Sequence, residues 1–269
     1  MPELPEMETY KTLLNQKIAG QVILDAEIGR IKSINIAPGD FISKVKCQTV
    51  IKVERRAKYL VFILSNGCIL VLHLMLGGWM FFGKEEDRPK RTVQITLNFG
   101  ANNLYFFGLR LGYLHLFDKE TAAAELSDLG PEPLTPQFTL EFFIELLQNK
   151  RGRIKTKLID QHFLSGIGNC YSDEICFQAK LLPMRDISSL SPAERTALYE
   201  AISLVLREAV RFGGYMENPL YAGDELTGGY DEKCKVYDRE GEPCVRCGTS
   251  IRKEMISSRK TFYCTHCQI

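Results

Sequence analysis

The heptapeptide Asp128-Leu129-Gly130-Pro131-Glu132-Pro133-Leu134 divides the chain into two halves of different character. Its prolines and glycine are typical of a linker, because they interrupt helices and central strands. Before it lie short runs of β-branched and aromatic residues, and after it apolar residues recur at three- and four-residue spacing. Strands followed by helices, rather than alternating with them, predict an α+β fold.

The half before the linker begins with a helical pattern and continues as strands. Residues 3–18 carry apolar side chains among polar neighbours at helical spacing, which predicts an amphipathic helix. The β-prone runs that follow are 22–28, 50–53, 59–64, 68–74, 93–97 and 113–117. Asn66-Gly67 predicts a tight hairpin between two of them, and breakers such as Pro38-Gly39 and Gly77-Gly78 separate others. Many strands without intervening helices predict an antiparallel sandwich or barrel.

The half after the linker is predicted to be helical. Helices are expected over 138–148, 154–159, 169–179 and 192–212. The sequence Gly166-Ile167-Gly168-Asn169 places Asn169 at the start of the third helix. We expect three domains, a β-sandwich over 1–130, a helical domain over 135–233 and a metal-binding hairpin over 234–269.

Four of the nine cysteines form two close pairs, Cys244/Cys247 and Cys264/Cys267. Two such pairs joined by a hairpin-length connection can direct four thiolates at one tetrahedral Zn²⁺, so we expect one structural zinc ion. A redox pair and a chance spacing are the alternatives. The five isolated cysteines are expected to be small core residues.

The net charge of the 269-residue chain is only +1, so bulk charge does not indicate a nucleic-acid partner. Basic residues nevertheless cluster at 52–58, 150–157 and 252–260, and such clusters neutralise phosphates in nucleic-acid-binding proteins. Each cluster alone could be an ordinary solvated surface. No segment has the ~20 apolar residues that span a bilayer, and the acidic N-terminal residues do not fit a secretory signal. We therefore expect a cytoplasmic protein.

Five short motifs match one known family in order and spacing. They are Pro2-Glu3-Leu4-Pro5-Glu6, Arg55-Arg56-Ala57-Lys58-Tyr59-Leu60, Leu129-Gly130-Pro131-Glu132-Pro133-Leu134, Gly166-Ile167-Gly168-Asn169 and Tyr263-Cys264-x2-Cys267-Gln268. The sequence thus resembles the formamidopyrimidine-DNA glycosylase and endonuclease VIII family over almost its whole length. The resemblance implies an N-terminal β-sandwich, a helix–two-turns–helix DNA-binding domain and a zinc-finger hairpin. It also implies a monomeric, nucleoid-associated DNA glycosylase and abasic-site lyase that acts on double-stranded DNA containing damaged bases or abasic sites.

The resemblance assigns catalytic roles to Pro2, Glu3, Lys58 and Arg259. After removal of Met1, Pro2 exposes a secondary amine, and an α-amino group with a pKa near ~8 is partly unprotonated at neutral pH. Glu3 matches the family's acidic catalyst, and Lys58 matches its lysine at the lesion. From the residues alone, Pro2 could merely start a helix, Lys58 could be a surface turn lysine, and Glu6 could serve the helix dipole.

DNA contacts are also implied by the resemblance. His73, Lys155, Asn169 and Arg259 are expected to hold phosphates, and Asn169 suits this role because a helix N-terminus attracts anions. Leu76, Arg110 and Leu111 are expected to form the wedge that fills the gap left by an extruded base, with Arg110 facing the orphaned partner base.

Three segments depart from the family pattern. The usual His-Leu-Gly-Met-Ser-Gly is His73-Leu74-Met75-Leu76-Gly77-Gly78, and the usual Asp-Pro-Arg-Arg-Phe-Gly is Phe107-Gly108-Leu109-Arg110-Leu111-Gly112. The loop over 215–224 lacks the small hydroxyl and basic residues that cap 8-oxoguanine in the family, and it carries Glu217 and Asp224, which we expect near the DNA. We therefore expect weak activity on 8-oxoguanine. The alternatives are a catalytically weak paralogue that binds damaged or distorted DNA, and a zinc-ribbon transcription factor.

Overall fold

The computed structural model describes the whole chain, Met1 to Ile269. The chain divides into two compact units, the first built from 1–128 and 212–229, the second from 129–211 and 230–269. The first unit is rich in strands, and the second consists of helices and one hairpin, so the predicted α+β class is confirmed.

The first unit contains three helices and nine strands. In chain order they are α1 (Leu4–Ile18), β1 (Val22–Ile23), β2 (Asp25–Ile28), α2 (Pro38–Val45), β3 (Gln48–Arg56), β4 (Tyr59–Leu64), β5 (Ile69–His73), β6 (Trp79–Gly83), β7 (Val93–Asn98), β8 (Asn103–Phe107), β9 (Tyr113–Phe117) and α3 (Lys119–Glu125). The strands form a five-stranded sheet, β1-β3-β4-β5-β9, and a four-stranded sheet, β2-β7-β8-β6. All neighbouring strands are antiparallel.

The main core of this unit joins the two sheets. Phe62 and Leu72 of the first sheet are fully buried in one cluster with Ile95 and Phe106 of the second. The same cluster includes Leu14 of α1, which covers the strands with its apolar side. This arrangement confirms the predicted sandwich, in which alternate residues of each strand face a shared core.

Several local predictions differ from the structure. Run 22–28 is split into β1 and β2, and β6, β8 and α3 had not been predicted. Pro38-Gly39, interpreted as a breaker, instead starts α2, because proline is favoured in the first helical turn and the buried pair Phe41 and Val45 anchors one face. The Asn66-Gly67 hairpin is confirmed, with Gly67 at a φ of 82° between β4 and β5.

The second unit contains four helices and a hairpin. These are α4 (Leu140–Leu147), α5 (Ile154–Leu158), α6 (Asn169–Gln178), α7 (Pro192–Arg211), β10 (Arg252–Ile256) and β11 (Arg259–Tyr263). The predicted start of α6 at Asn169 is confirmed. The division into domains at 130 and 234 stays a prediction, and 212–229, assigned by it to the helical domain, packs within the first unit. None of the helices combines the length and the apolar character that crossing a membrane requires.

Candidate functional site

The two N-terminal prolines, Pro2 and Pro5, lie in different positions relative to α1. Helix α1 begins at Leu4, and Pro5 occupies its second position, where the missing N–H has no helical partner to lose. Pro2 lies before the helix and is buried. Pro5 therefore fulfils the helix-start role that had been the alternative explanation for Pro2.

Glu3 and Glu6 are both buried at the first turn of α1 and form a capping box. The Glu6 carboxylate accepts hydrogen bonds from the backbone N–H of Glu3 at 2.7 Å and of Tyr215 at 2.8 Å. The preceding residue, Gly214, has a φ of 77°, and a Cβ there would lie 2.3 Å from Glu6 Oε1. Glu6 thus connects the residues beside Pro2 to the start of the 215–229 segment, and only glycine fits at this junction.

The 215–229 segment is fixed to the sandwich by three further hydrogen bonds. The Tyr10 hydroxyl donates to the Asn218 carbonyl at 2.7 Å, and the Trp79 indole donates to the Pro219 carbonyl at 3.0 Å. The Phe82 N–H donates to the Leu220 carbonyl at 2.6 Å, and the Leu220 side chain is fully buried in the main core. The segment is therefore an ordered part of the first unit.

Asp224 organises this segment from within. One carboxylate oxygen accepts from the Leu220 N–H at 2.8 Å and the Thr227 hydroxyl at 2.7 Å. The other accepts from the N–H groups of Leu226 at 3.1 Å and Thr227 at 3.2 Å. Glu217, by contrast, is exposed. Of the two acids expected near the DNA, Asp224 is thus occupied by the segment's own donors.

Lys58 and His73 lie on neighbouring strand ends. Lys58 follows Ala57, whose φ is 52°, in the two-residue turn between β3 and β4, and its side chain is largely buried. His73 ends β5 and pairs with Tyr59 and Tyr113, with ring centroids 4.2 and 5.9 Å away. Burial, and then the nearby Lys58 ammonium, lower the pKa of His73 to about 4. At neutral pH the imidazole is therefore neutral and offers a hydrogen bond rather than a charge.

The structure brings the three expected wedge residues together. Leu76 and Leu111 are 68% and 63% exposed, and with Arg110 they line one cavity of about 590 Å³. Their two loops touch through glycines, since a Cβ on Gly108 would lie 1.9 Å from the Gly77 carbonyl oxygen. Two exposed leucines on tightly packed loops form a rigid apolar projection.

Lys155 is buried and paired with an acid inside the second unit. It is 1% exposed, and its ammonium donates to Asp173 Oδ1 at 2.5 Å and to the carbonyls of Lys260 at 3.1 Å and Asn169 at 3.4 Å. Burial raises the pKa of Asp173 to about 7, although Lys155 opposes this shift. Lys155 thus connects the start of α6 with β11, and its expected phosphate contact stays a prediction.

Asn169 starts α6 with one buried side-chain atom unpaired. It is the first residue of α6 and is half-buried, and its side-chain oxygen has no hydrogen-bond partner in the protein. The phosphate contact expected of Asn169 stays a prediction.

Arg259 lies at the tip of the zinc hairpin. Ser257 and Ser258 form the turn with φ values of 49° and 61°, and exposed Arg259 opens β11. The hairpin is attached to α6, because Asp173 Oδ2 accepts from the Phe262 N–H at 3.0 Å. The neighbouring Glu174, also fully buried, accepts from the N–H groups of 235–237.

The four paired cysteines can hold one metal ion. The sulfur atoms of Cys244, Cys247, Cys264 and Cys267 all lie within 4.8 Å of one another. The Cys244–Cys267 and Cys247–Cys264 sulfur distances are 3.8 and 3.6 Å, as four thiolates around one tetrahedral Zn²⁺ require. The predicted structural zinc ion is confirmed. Of the isolated cysteines, Cys170, Cys176 and Cys234 are buried as expected, whereas that expectation is wrong for Cys47, which is exposed.

Sequence reasoning missed the residues that support the site. Trp79 and Tyr10 fix the 215–229 segment, and Asp173 and Glu174 fix the hairpin. The acidic pair could have been noticed, because Asp173 and Glu174 are adjacent and are the only charged residues of α6.

Three family models match successive parts of the chain. The formamidopyrimidine-DNA glycosylase N-terminal domain matches 1–113, the H2TH domain of the same glycosylase matches 129–218, and the zinc finger found in FPG and IleRS matches 241–269. Together with the sandwich and the four-cysteine centre, these matches define the class of zinc-finger DNA repair glycosylases.

Relatives and solved structures agree with this class. The chain is 37% identical to the formamidopyrimidine-DNA glycosylase of Listeria innocua, covering all of both chains, and 36% identical to that of Pelotomaculum thermopropionicum, covering all of this chain and 99% of the other. It matches the Lactococcus lactis Fpg in complex with abasic-site DNA with a TM-score of 0.92 at 28% identity, covering 99% of each chain. The structure of the same enzyme with DNA containing an N7-benzyl-Fapy-dG lesion also matches with a TM-score of 0.92 at 28% identity, covering 99% of each chain. The chain belongs to the formamidopyrimidine-DNA glycosylase family and is a DNA glycosylase of base excision repair.

Proposed function

We propose that the chain excises damaged bases and cleaves the resulting abasic site through a Schiff base formed by Pro2. One observation carries this proposal. Pro2 lies outside α1, directly before the buried Glu3, so its nitrogen is not committed to the helix. Removal of Met1 then exposes a secondary amine beside a carboxylate, a nucleophile next to a group that can handle protons.

The proposed reaction starts at this pair of residues. The Pro2 nitrogen lone pair forms a bond to the sugar C1′, while the bond from C1′ to the base breaks and the base leaves with a proton. Opening of the sugar ring gives an iminium, which withdraws electrons from C2′. A C2′ proton then passes to solvent, and its bonding electrons form a C2′=C3′ double bond while the C3′–O bond breaks and the 3′ phosphate leaves. Glu3 transfers the protons during ring opening, a contribution typically worth ~10²–10⁴-fold.

DNA contacts are proposed from both units. Exposed Arg259 can reach a phosphate, Asn169 lies at the start of α6, where the helix field favours an anion, and His73 contributes a neutral hydrogen bond. Lys58 reaches the DNA at the lesion, and Leu76, Arg110 and Leu111 fill the vacated space. Lys155 acts as a positioning residue through Asn169 and β11. The partner is double-stranded DNA with damaged bases or abasic sites, bound by a monomer at the nucleoid.

Substrate choice follows from the 215–229 segment and the wedge. The N–H groups of Tyr215, Leu220, Leu226 and Thr227 are all used by Glu6 or Asp224, so these four donors do not serve an oxidised purine. The leucines also lack the base stacking of an aromatic wedge, which is worth about 1–3 kcal/mol per base. We propose clear lyase activity on abasic sites and weak activity on 8-oxoguanine, with oxidised pyrimidines or ring-opened purines between them.

Single-turnover cleavage of matched duplexes, each with one lesion and at one salt concentration, tests this proposal. The abasic site should be cut fastest and 8-oxoguanine opposite cytosine much more slowly. Equal rates for these two substrates would contradict the substrate proposal. Tight binding of the abasic duplex without cleavage would instead favour the alternative, a paralogue that binds damaged DNA.

A further inference from the structure

Three consecutive carbonyl groups near the middle of the 215–229 segment accept hydrogen bonds from the sandwich. One donor is the hydroxyl of Tyr10, which is fully buried in α1, and another is the backbone N–H of Phe82 in β6. The third is the indole N–H of the half-buried Trp79, 3.0 Å from the Pro219 carbonyl oxygen. A substitution at Trp79 can therefore remove one anchor of the segment while the other two remain.

Trp79 is held in a fixed orientation on the outer face of the second sheet. It is the first residue of β6, which forms one edge of that sheet. Its ring lies 5.4 Å from the ring of Phe107 on β8 and 6.3 Å from that of Phe81, centre to centre. The guanidinium carbon of Arg91 lies 5.8 Å from the centre of the indole. These contacts leave the N–H directed at the segment, which follows the edge of β6 that no strand occupies.

The anchors enclose a very short stretch of the segment. On one side the Tyr215 N–H donates to Glu6 at 2.8 Å, and the same carboxylate accepts from the Glu3 N–H. On the other side lie the three anchored carbonyl groups. Only Met216, which is half-buried, and Glu217, which is exposed, lie between the two sets of anchors. The positions of these two residues beside the N-terminus therefore depend on the anchors at both ends.

We propose that Trp79 is a positioning residue on which removal of a damaged base depends, whereas cleavage of an abasic site does not. The inference rests on the proposed function, in which the 215–229 segment takes part in the choice of the damaged base. Without the indole N–H, the Pro219 carbonyl loses its hydrogen-bond partner, and the stretch before it is less ordered. A base must be held in place while its bond to the sugar breaks, but an abasic sugar has no base to hold.

Trp79→Phe tests the proposal, because it keeps an aromatic ring beside Phe107 and removes the N–H donor. Single-turnover rates are compared on an abasic duplex and on a duplex with the base lesion that the wild type removes fastest. The rate on the base lesion should fall roughly 2–10-fold, as expected for one lost hydrogen bond, and the rate on the abasic site should not change. Phe81→Leu is the matched control, because it alters the same aromatic cluster and leaves the N–H in place. Its two rates should keep the wild-type ratio.

Hydrogen exchange of the protein without DNA measures the anchoring itself. Trp79→Phe should speed the exchange of amides in 216–222 by roughly 2–10-fold over both the wild type and Phe81→Leu. Unchanged exchange, an unchanged rate on the base lesion, or an equal fall on both duplexes would each overturn the proposal. A wild-type protein that cuts neither duplex would contradict the proposed function itself, and the exchange measurement distinguishes that failure from the absence of a Trp79 anchor.

Discussion

The Glu6 carboxylate accepts a hydrogen bond from the Tyr215 N–H at 2.8 Å, although the two residues are 209 positions apart in the chain. The same carboxylate holds the Glu3 N–H at 2.7 Å, so one buried acid fixes both the residues after Pro2 and the start of the 215–229 segment. A buried carboxylate with two N–H donors makes strong, charge-assisted hydrogen bonds. The surroundings of the proposed nucleophile and the loop that we propose to set substrate choice are therefore connected through Glu6.

Gly214→Ala tests this connection. Its Cβ would lie 2.3 Å from Glu6 Oε1, and the φ of 77° adds backbone strain. Gly223→Ala is a matched control, because Gly223 has a φ of 88° but no atom within 4 Å of its Cβ position. Both variants should lose about 1 kcal/mol of unfolding free energy, because alanine is strained at a positive φ. Gly214→Ala should lose about 1–3 kcal/mol more, because its Cβ disturbs the buried hydrogen bonds of Glu6. Urea unfolding measures the difference, and equal losses would show that the Glu6 contact is unimportant.

Lys155→Met tests whether Lys155 is a positioning residue. The substitution leaves the Asp173 carboxyl buried without its cation, which should lower the unfolding free energy by roughly 3–5 kcal/mol. Lys157→Met, which removes a partly exposed ammonium 3.9 Å from Asp160, should change it by less than about 1 kcal/mol. Denaturant unfolding distinguishes the two variants. A different result would support direct contact between Lys155 and the DNA. In that case the Lys155→Met protein would be stable, and the salt dependence of its DNA binding would show one phosphate contact fewer.

His73 should make stability depend on pH. Its pKa falls from the usual 6.5 to about 4 in the folded protein, so between these values the unfolded chain binds more protons. The contribution of the neutral imidazole to the free energy of unfolding is therefore present above pH 6.5 and is lost as the pH falls toward 4. Relative to His73→Gln, the wild type should lose about 2 kcal/mol of stability between pH 7.5 and 5. Parallel stability curves for the two proteins would mean that the pKa of His73 is not lowered by folding. NMR titration of the imidazole would show this directly.

Zinc should hold the hairpin that presents Arg259. Cys264→Ser should release about one equivalent of metal, destabilise 244–267 and weaken DNA binding, because metal binding supplies much of the folding free energy of such a small element. Cys47→Ser, at an exposed cysteine far from this cluster in sequence, is the control. Metal analysis and DNA titration measure both effects. Finding no metal in the purified wild-type protein would contradict the assignment.

Local patterns predicted much of the fold. The helix from Leu4 to Ile18, the Asn66-Gly67 hairpin and the start of α6 all follow from spacing or turn chemistry within a few residues. Helix α2 was missed because proline was interpreted only as a breaker, and β6 was missed although its apolar run follows the Gly77-Gly78 breaker directly. In both cases burial against strands distant in sequence decides the structure, and the local sequence is compatible with a regular element and with a loop.

The sequence predicted which residues belong to the candidate site, but not the surroundings of their side chains. The cysteine spacing alone indicated the zinc centre, and the motifs indicated the wedge residues that the structure brings together. The burial of Lys155 depends on Asp173, and the engagement of Asp224 depends on the path of its own loop. Such pairings arise from tertiary packing, so a motif that names a lysine does not show whether its charge faces solvent or the protein interior.

Borohydride trapping on abasic-site DNA, followed by mass mapping of the adduct, tests the central claim most directly. The wild-type protein should be trapped on its N-terminal peptide after loss of Met1. Pro2→Gly should lose most of the trapping while still binding a tetrahydrofuran analogue, and Pro5→Ala, a change inside α1, is the matched control. Our account predicts an adduct on Pro2 and its loss in Pro2→Gly. An adduct on Lys58, or undiminished trapping by Pro2→Gly, would contradict it.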